Sequence, residues 1–402
     1  MIVQPRYRGP FLPTTLAVSM TAAASGSNGI TVADDNDIDA GTGDFFLHWE
    51  GSLPDWTPAT SVNYLYYHYA DANNRIGLYV NSSGNLVFIA IIGGVRVCAE
   101  TSATTISTSS ASISGTGGAI YKISCKFARE TASAAGAISY LVNGAQLGTS
   151  IAVSAATPPS FTITGSAYVS GTNAVRLASN TIACIVGNFA PTAAEVLDLC
   201  TNGIPESWKW GSQAASYTSN FSAGVDGFTA TGGTAAGNID SIGGQDDWLR
   251  LTVNSANTTH RLIKTGLFVT GYKYLVSGLM YVPSTNSNLD GAAFGDTSNS
   301  SAITTVYAPA LDTVVPWYGY FTAGSTDFRV AATDGGNGTF QDAGGDDVLY
   351  IKSVSVVRVG ATLALLPNSI PTSGATAWDD SSGNTGGGTL PAAGASKVTI
   401  RK

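Results

Sequence analysis

Apolar and polar positions alternate along most of the chain in short runs. Clusters of Gly, Asn, Asp, Ser and Pro break them. That period of two is the signature of half-buried strands, and the breaks are turn chemistry. The runs include TLAVSMT ending at Thr21, GITVA from Gly29, DFFLHWEG over 44–51, NYLYYHYA and RIGLYV. DANN separates the last two, and NSSGN leads from RIGLYV into LVFIAII. RVCAE, YKISCKFAR, AISYLVN, QLGTSIAV and FTITG continue the series. Asn143-Gly144 sits between two such runs and predicts a type I′ hairpin, whose central residues both need positive φ. A helix is predicted only in APTAAEVLDLCTNG. Thr192 can cap it, Glu195 stands at the capping-box position, Val196, Leu197 and Leu199 supply an apolar face, and Gly203 closes it. Many short strands and a single helix predict an all-β protein built from antiparallel sandwiches.

Within NYLYYHYA, strict alternation puts Tyr64, Tyr66 and His68 on one face and Leu65, Tyr67 and Tyr69 on the other. Leu65 marks its own face as the core side, so Tyr64, Tyr66 and His68 are expected to point outward. An exposed aromatic row can stack on sugar rings or bury itself against a neighbouring subunit, and both uses stay open. Trp317, Tyr318 and Tyr320 in PWYGYF pose the same choice further along, whereas Trp248 is expected in a core.

Length and composition sharpen this picture. At 402 residues the chain is long for one domain, and only 11% of it is charged, against about 25% in an average globular protein. With 44% hydrophobic residues it can still bury a core. The formal net charge is −8 and the Lys and Arg are scattered, which argues against nucleic acid and against anionic lipid as partners. Cys98, Cys125, Cys184 and Cys200 form no CxxC pair, so zinc is disfavoured and buried free thiols are expected. The start MIVQPRYRGPFLPTT lacks an apolar leader core, and LVFIAIIGGV falls short of the ~18–20 apolar residues of a membrane span, so a soluble, cytosol-made chain is expected.

Catalytic constellations are sought with little result. The glutamates are Glu50, Glu100, Glu130, Glu195 and Glu206, and none forms the strand-borne carboxylate pair of a glycanase. His48, His68 and His260 occur in no metalloprotease or hydrolase motif. The run ADDNDIDAGTGDF opens like a calcium loop at Asp35, Asp37 and Asp39. However, Ala40 occupies the glycine position and Phe46 the closing acidic one, so an acidic turn is the expectation. Asp246 and Asp247 in GGQDDW, with Asp346 and Asp347 in GGDDV, are weaker calcium candidates. No other cofactor is expected, and no enzymatic activity.

Three resemblances add to this reading. LAVSMTAAASGSNGITVADDNDIDAGTGDFFLHWEG, RIGLYVNSSGNLVF, ISYLVNGAQLG and ASNTIACIVGNFAPTAAEVLDLC, in that order, resemble the laminin-G-like, concanavalin A-like sandwich. NFSAGVDGFTATGG, WLRLTVNSAN, YKYLVSGLMYVPS and DDVLYIKSVSVVRVG resemble a carbohydrate-binding-module-like jelly roll. Lys352 stands there where that family often has an Asp that helps hold calcium. The close, with Trp378, Asp380, Ser382, Gly383 and Asn384 followed by LPAAGA, resembles the C-terminal segment of tailed-phage tail and fibre proteins.

The expected organisation is an extended arm over 1–13, a laminin-G-like sandwich over 14–203, a linker over 204–214, a jelly roll over 215–360 and a tail over 361–402. The resemblances imply a virion protein that binds host-surface glycans, contacts other virion proteins and assembles as a homo-oligomer, a trimer in the first instance. A purely structural virion component and a glycan-degrading enzyme are the alternatives.

Overall fold

The computed structural model describes residues 14–401 apart from 23–28, 36–37, 40, 42, 59–61, 106–118, 130–135, 154–159, 173, 175–176, 206–207, 209–210, 212–214, 370–376, 383–387 and 392–394. The arm over 1–13 lies outside the described residues. The chain divides into two compact units, one formed by Met1–Gln213 with Val359–Lys402, the other by Ala214–Arg358. Both consist of antiparallel sheets, which makes the protein all-β with two β-sandwiches.

In the first unit, one sheet runs in the order Ala145–Gln146, Gly136–Val142, Tyr121–Ala128, Phe45–Ser52, Ser179–Gly187, Thr14–Met20, Ala395–Arg401. The facing sheet runs Ala377–Trp378, Gly388–Thr389, Ile30–Val32, Ala167–Val169, Asn63–Asp71, Asn74–Val80, Asn85–Ile92, Val95–Thr105. Alternating residues of both, such as Phe45, Leu47, Trp49, Leu78, Phe88, Cys125, Phe127 and Tyr140, fill the space between them. Two hydrogen bonds cross this interior: Trp49 Nε1 donates to Ser170 Oγ at 2.9 Å, and the Phe88 amide donates to the Tyr140 hydroxyl at 2.8 Å. Cys125, Cys184 and Cys200 are buried thiols outside any disulfide; the side chain of Cys98 lies outside the described residues.

The predicted hairpin forms, with Asn143 at φ 53° and Gly144 at φ 82°. The helix spans Ala193–Asn202 with the reciprocal Thr192–Glu195 capping box. It buries Val196, Leu199 and Cys200, but Leu197 is 52% exposed, contrary to the sequence expectation. Leu197 instead lies along the hairpin turn, where a Cβ added to Gly144 would come within 2.8 Å of it. Lys122 Nζ donates to the Cys200 carbonyl at 2.5 Å and Lys126 Nζ to that of Pro191 at 3.1 Å, which seats the helix on the outer face of its sheet. Among the described residues no helix is long and apolar enough to cross a membrane.

The expected linker and tail are working parts of the first unit. Trp208 is 1% exposed and packs edge-on against Phe46 and Phe189 at 5.5 and 4.9 Å. Residues Ala361–Leu365 extend the first sheet by pairing with Ser179–Gly187, and Ala395–Arg401 pairs with Thr14–Met20. Leu363, Leu365 and Trp378 belong to the core. The polar members of the closing motif hold this arrangement. Trp378 Nε1 donates to Leu366 O at 3.0 Å, Asp380 Oδ1 accepts the Ala364 amide at 2.7 Å, and Ser382 Oγ donates to Thr362 O at 2.9 Å. The segment after 360 is therefore an intramolecular staple rather than a free tail.

In the second unit, Gly233–Ile239, Trp248–Val253, Val348–Arg358, Lys273–Tyr281 and Val315–Thr322 form one sheet, joined by Ala215–Ser219 beside Val348–Arg358. Phe228–Thr231, Arg261–Lys264, Phe328–Thr333, Gly291–Asp296 and Thr304–Tyr307 form the other. Loops are locked by buried carboxylates that accept backbone amides. Asp296 takes the amides of Ser298, Asn299, Gly324 and Ser325, and Asp347 takes those of Ser287, Asn288 and Leu289.

Ending the chain at residue 360 removes Leu363, Leu365 and Trp378 from the first core and strips two strands from each of its sheets. Each lost large core side chain costs several kcal/mol, on the order of 3. Calorimetry is expected to show the first unit's transition abolished and the second unit's intact.

Candidate functional site

The strand Asn63–Asp71 does not keep a strict alternation. Against its partner Asn74–Val80 the register runs Tyr64 to Tyr79, then Tyr66 to Leu78, with a bulge between. A bulge sets two residues against one and reverses which face later side chains take. Leu65 and Tyr66 consequently both join the core, and His68 follows inward at 1% exposure. This corrects the expected outward row of Tyr64, Tyr66 and His68: only Tyr64 stays outside. Tyr67 and Tyr69, expected in the core, take the outer face with it, although Tyr67 is only 6% exposed because Tyr64 and Tyr69 pack over it.

The outward rings form one patch. Tyr64 lies 4.5 Å from Tyr67 and 5.0 Å from Tyr79, and Tyr67 stacks on Tyr69 at 5.2 Å. Gly77, directly opposite Tyr67, makes room: a Cβ there would meet the Tyr64 ring at 2.9 Å and the Tyr67 ring at 3.2 Å. Tyr168 stands opposite Tyr67 on the next strand and so shares the face. Arg75, opposite Tyr69 in the ladder, stands at one border beside the Tyr67 phenol. Tyr64, Tyr69, Tyr79 and Tyr168 are half-buried. Burial, then the neighbouring Tyr67 and Tyr79, push the Tyr64 phenol up to about 12, so it stays neutral at physiological pH. The arrangement can offer flat aromatic faces, phenolic hydroxyls and one guanidinium to a ligand.

The histidines are internal. His68 Nε2 bonds the Gly165 carbonyl at 2.9 Å, and its Nδ1 lies 3.8 Å from Asp39 Oδ1. His48 Nδ1 pairs with Ser124 Oγ at 2.9 Å, and His260 faces the carbonyls of Gly232 and Phe340. All three are at most 2% exposed. Burial lowers His68 to about 4 and His48 to about 3, and raises Asp39 to about 6.

In the second unit, Trp317 is corrected from ligand candidate to core residue: it is 3% exposed and stacks on Phe294 at 3.9 Å. Tyr318, 46% exposed, and Tyr320, half-buried, take the opposite face. Trp248 is fully buried, beneath Tyr281 and Tyr350 at 6.3 and 6.5 Å. It lies outside the main cluster, on the outer side of its sheet. An open groove of about 770 Å³ runs along Thr218, Ser219, Asn220, Asp226, Ser353 and Ser355.

The calcium candidates separate. Asp346 and Asp347 come together with Asp342, which sequence reasoning missed, whereas Asp246 and Asp247 are in no such cluster among the described residues. Asp342 accepts the amides of Gly344, Asp346 and Asp347, so the oxygens here already serve as loop acceptors. Burial raises the Asp342 carboxyl, but those amides and the Ser287 hydroxyl outweigh it and hold the group below its ordinary value. In the run from Asp35, positions 36, 37, 40 and 42 lie outside the described residues. Asp39 accepts the Ile163 amide at 3.0 Å and Asp44 that of Arg129 at 2.8 Å.

No protein-family model matches the chain, and no curated protein matches it. Among solved structures, the CBM22-1 xylan-binding domain from Paenibacillus barcinonensis Xyn10C aligns at 13% identity and TM-score 0.27, covering 38% of this chain and 98% of that one. The tandem CBM22-1-CBM22-2 domain of the same protein covers 85% and 91% at 10% identity and TM-score 0.28. A heptameric SAP-like pentraxin from Limulus polyphemus covers 48% and 84% at 11% identity and TM-score 0.30. At such distances none of them assigns a ligand.

The buried imidazoles generate a pH prediction. A histidine whose folded pKa is depressed adds stability that is full above about 6.5 and is lost as pH falls towards its folded value. Asp39, raised to about 6, works the other way between its ordinary 3.8 and 6, one group against two histidines. The melting temperature of the first unit is expected to fall between pH 6.5 and 4, and His48→Gln with His68→Gln to flatten that slope in a pH series of thermal melts.

Proposed function

We propose that this protein is a glycan-binding adhesion protein that performs no covalent chemistry, with the tyrosine face of the first unit as its contact surface. The observation that carries the proposal is the set of half-exposed rings of Tyr64, Tyr69 and Tyr79 around Tyr67. They pack on one another, Tyr64 tilted by about 50° against both Tyr67 and Tyr79, with Gly77 leaving room beneath Tyr64 and Tyr67 and Arg75 at the border. Such rings present CH–π faces to pyranose carbons, while phenols and a guanidinium can reach sugar hydroxyls. Packed on one another and on a sheet, they lose little side-chain freedom on binding, which favours affinity for a weak ligand class. The resemblance of the closing segment to tailed-phage tail and fibre proteins supplies the setting: a virion component turned towards the host cell surface, among copies of itself and other virion proteins. The location on the particle and the symmetric oligomer are parts of the same proposal.

The rival use of this face is contact with another virion subunit, since aromatic residues also enrich protein interfaces. One experiment separates the two. Full-length protein with Tyr64→Ala and Tyr79→Ala is compared with the parent on a glycan array, in cell binding and in sedimentation. Each stacking contact contributes about 0.5–1.5 kcal/mol, so losing both is expected to weaken glycan binding about tenfold or more. Sedimentation is expected to stay unchanged. Gly77→Ala, which displaces two rings without removing a contact atom, is expected to weaken binding in the same direction. Unchanged glycan retention with a changed sedimentation coefficient would assign the face to subunit packing.

A further inference from the structure

The six-stranded sheet of the second unit opens into a groove where one of its strands changes partners. Along one edge, Val348–Arg358 pairs with Trp248–Val253 through residues 348–351 and with Ala215–Ser219 through residues 354–357. Lys352 and Ser353 pair with neither on that edge. The groove of about 770 Å³ lies at this gap, lined by Thr218, Asn220, Asp226, Ser353 and Ser355. Its volume is ordinary for a small-molecule site. Three lining residues, Phe221, Asp226 and Ser353, hold φ at 65°, 47° and 52°, in the left-handed region that side chains disfavour. The Phe221 carbonyl is fixed by the amides of Gly224 and Asn238, and the Asp226 carboxylate by the Tyr217 hydroxyl. Ser353 is exposed, and among the described residues its hydroxyl makes no hydrogen bond. Backbone held in such conformations clusters where ligands are clamped.

From the groove a row of hydroxyls crosses the outer face of the sheet. Val276, Trp317, Phe321, Val354 and Val356 fill the core, so alternation turns Ser277, Tyr318, Tyr320 and Ser355 outward. The register sets Thr218 opposite Ser355, Ser355 opposite Ser277, and Ser277 opposite Tyr318. Four neighbouring strands thus carry four hydroxyls in line over three strand spacings, about 14 Å. Ser277 and Ser355 are half-buried, Thr218 is exposed, and Tyr318 is 46% exposed. Among the described residues none of these four side chains makes a hydrogen bond. Leu275, Val357 and Tyr320 flank the row on one side, Leu279 and Pro316 on the other. The four strands contain no acidic residue. At the groove end, Asp226 is met by the Tyr217 hydroxyl and by Lys264 at 3.9 Å, while Lys352 Nζ donates to the Asp246 carbonyl. The strip therefore offers free hydroxyls and apolar surface, and its bordering charges are already engaged.

We propose that the groove and the hydroxyl row form a second saccharide site, which takes a neutral glycan chain laid across the strands. Sugar hydroxyls pair with Thr218, Ser353, Ser355 and Ser277, each of which can both donate and accept. Sugar ring carbons lie on Tyr318 and on the apolar rows beside it. A charged sugar would meet no uncommitted cation to offset the loss of its hydration, so the site discriminates against anions. Contacts spread over about 14 Å engage more than one sugar unit, so affinity grows with chain length. The site is in the other unit from the tyrosine face and does not depend on its role.

The test uses the full-length parent and its Tyr64→Ala, Tyr79→Ala variant side by side in isothermal titration, so that binding common to both belongs to the second unit. The probes are neutral hexasaccharides of glucose, mannose, galactose and xylose, the matching disaccharides, and an oligogalacturonate of the same length. At least one neutral hexasaccharide is expected to bind both proteins, at least tenfold tighter than its disaccharide and than the oligogalacturonate. Its affinity is expected to be insensitive to salt. Thr218→Val, Ser355→Ala and Tyr318→Ala are each expected to weaken binding about three- to tenfold, the effect of one hydrogen bond or stacking contact. Ser353→Gly is expected to weaken binding likewise. Its melting temperature should equal or exceed the parent's, because glycine adopts a φ of 52° without strain. Absence of common binding with every neutral hexasaccharide would overturn the proposal. So would equal affinity for the oligogalacturonate, parental affinity in all four variants, or losses confined to variants whose melting temperature also falls.

Discussion

One extra residue in the strand Asn63–Asp71 governs what the first unit can do. The bulge between Tyr64 and Tyr66 sends Leu65 and Tyr66 together into the core and moves every later side chain to the opposite face. Without it Tyr67 and Tyr69 would lie inside and His68 outside. With it, four tyrosines gather on one surface above a glycine, and an imidazole is sealed in beside Asp39. The bulge costs ladder hydrogen bonds, and core packing on one side with ring packing on the other offsets that cost.

The fold was legible in the sequence because its signals were local and redundant. Alternation, the Asn143-Gly144 turn and the Thr192–Glu195 capping box each specify their own neighbourhood, and all appear in the structure. The site was less legible. A bulge has no residue signature in NYLYYHYA, and period-two reasoning propagates a single slip to every residue beyond it. One clue was available: Gly77 in RIGLYV, a glycine inside a strand, marks a close approach of neighbouring groups. Trp317 misled for a related reason, since an aromatic run such as PWYGYF has a core side as well as an open one.

The segment after 360 shows a different limit. Its glycines and prolines read as a free tail, yet Leu363, Leu365 and Trp378 finish a core begun more than three hundred residues earlier. Composition reports local stiffness, not the partner that a segment finds. The same holds for Asp342. It joins Asp346 and Asp347 through loop closure, and the oxygens it contributes already accept amides.

The account rests on the outward tyrosines being the surface that meets sugar. Aromatic resonances of selectively labelled tyrosines, followed by NMR during titration with an oligosaccharide selected on a glycan array, test this most directly. Saturable shifts at Tyr64, Tyr67 and Tyr79, with Tyr66 and Tyr140 unmoved inside the core, are the predicted result. Binding that leaves all three outward rings unshifted would contradict it.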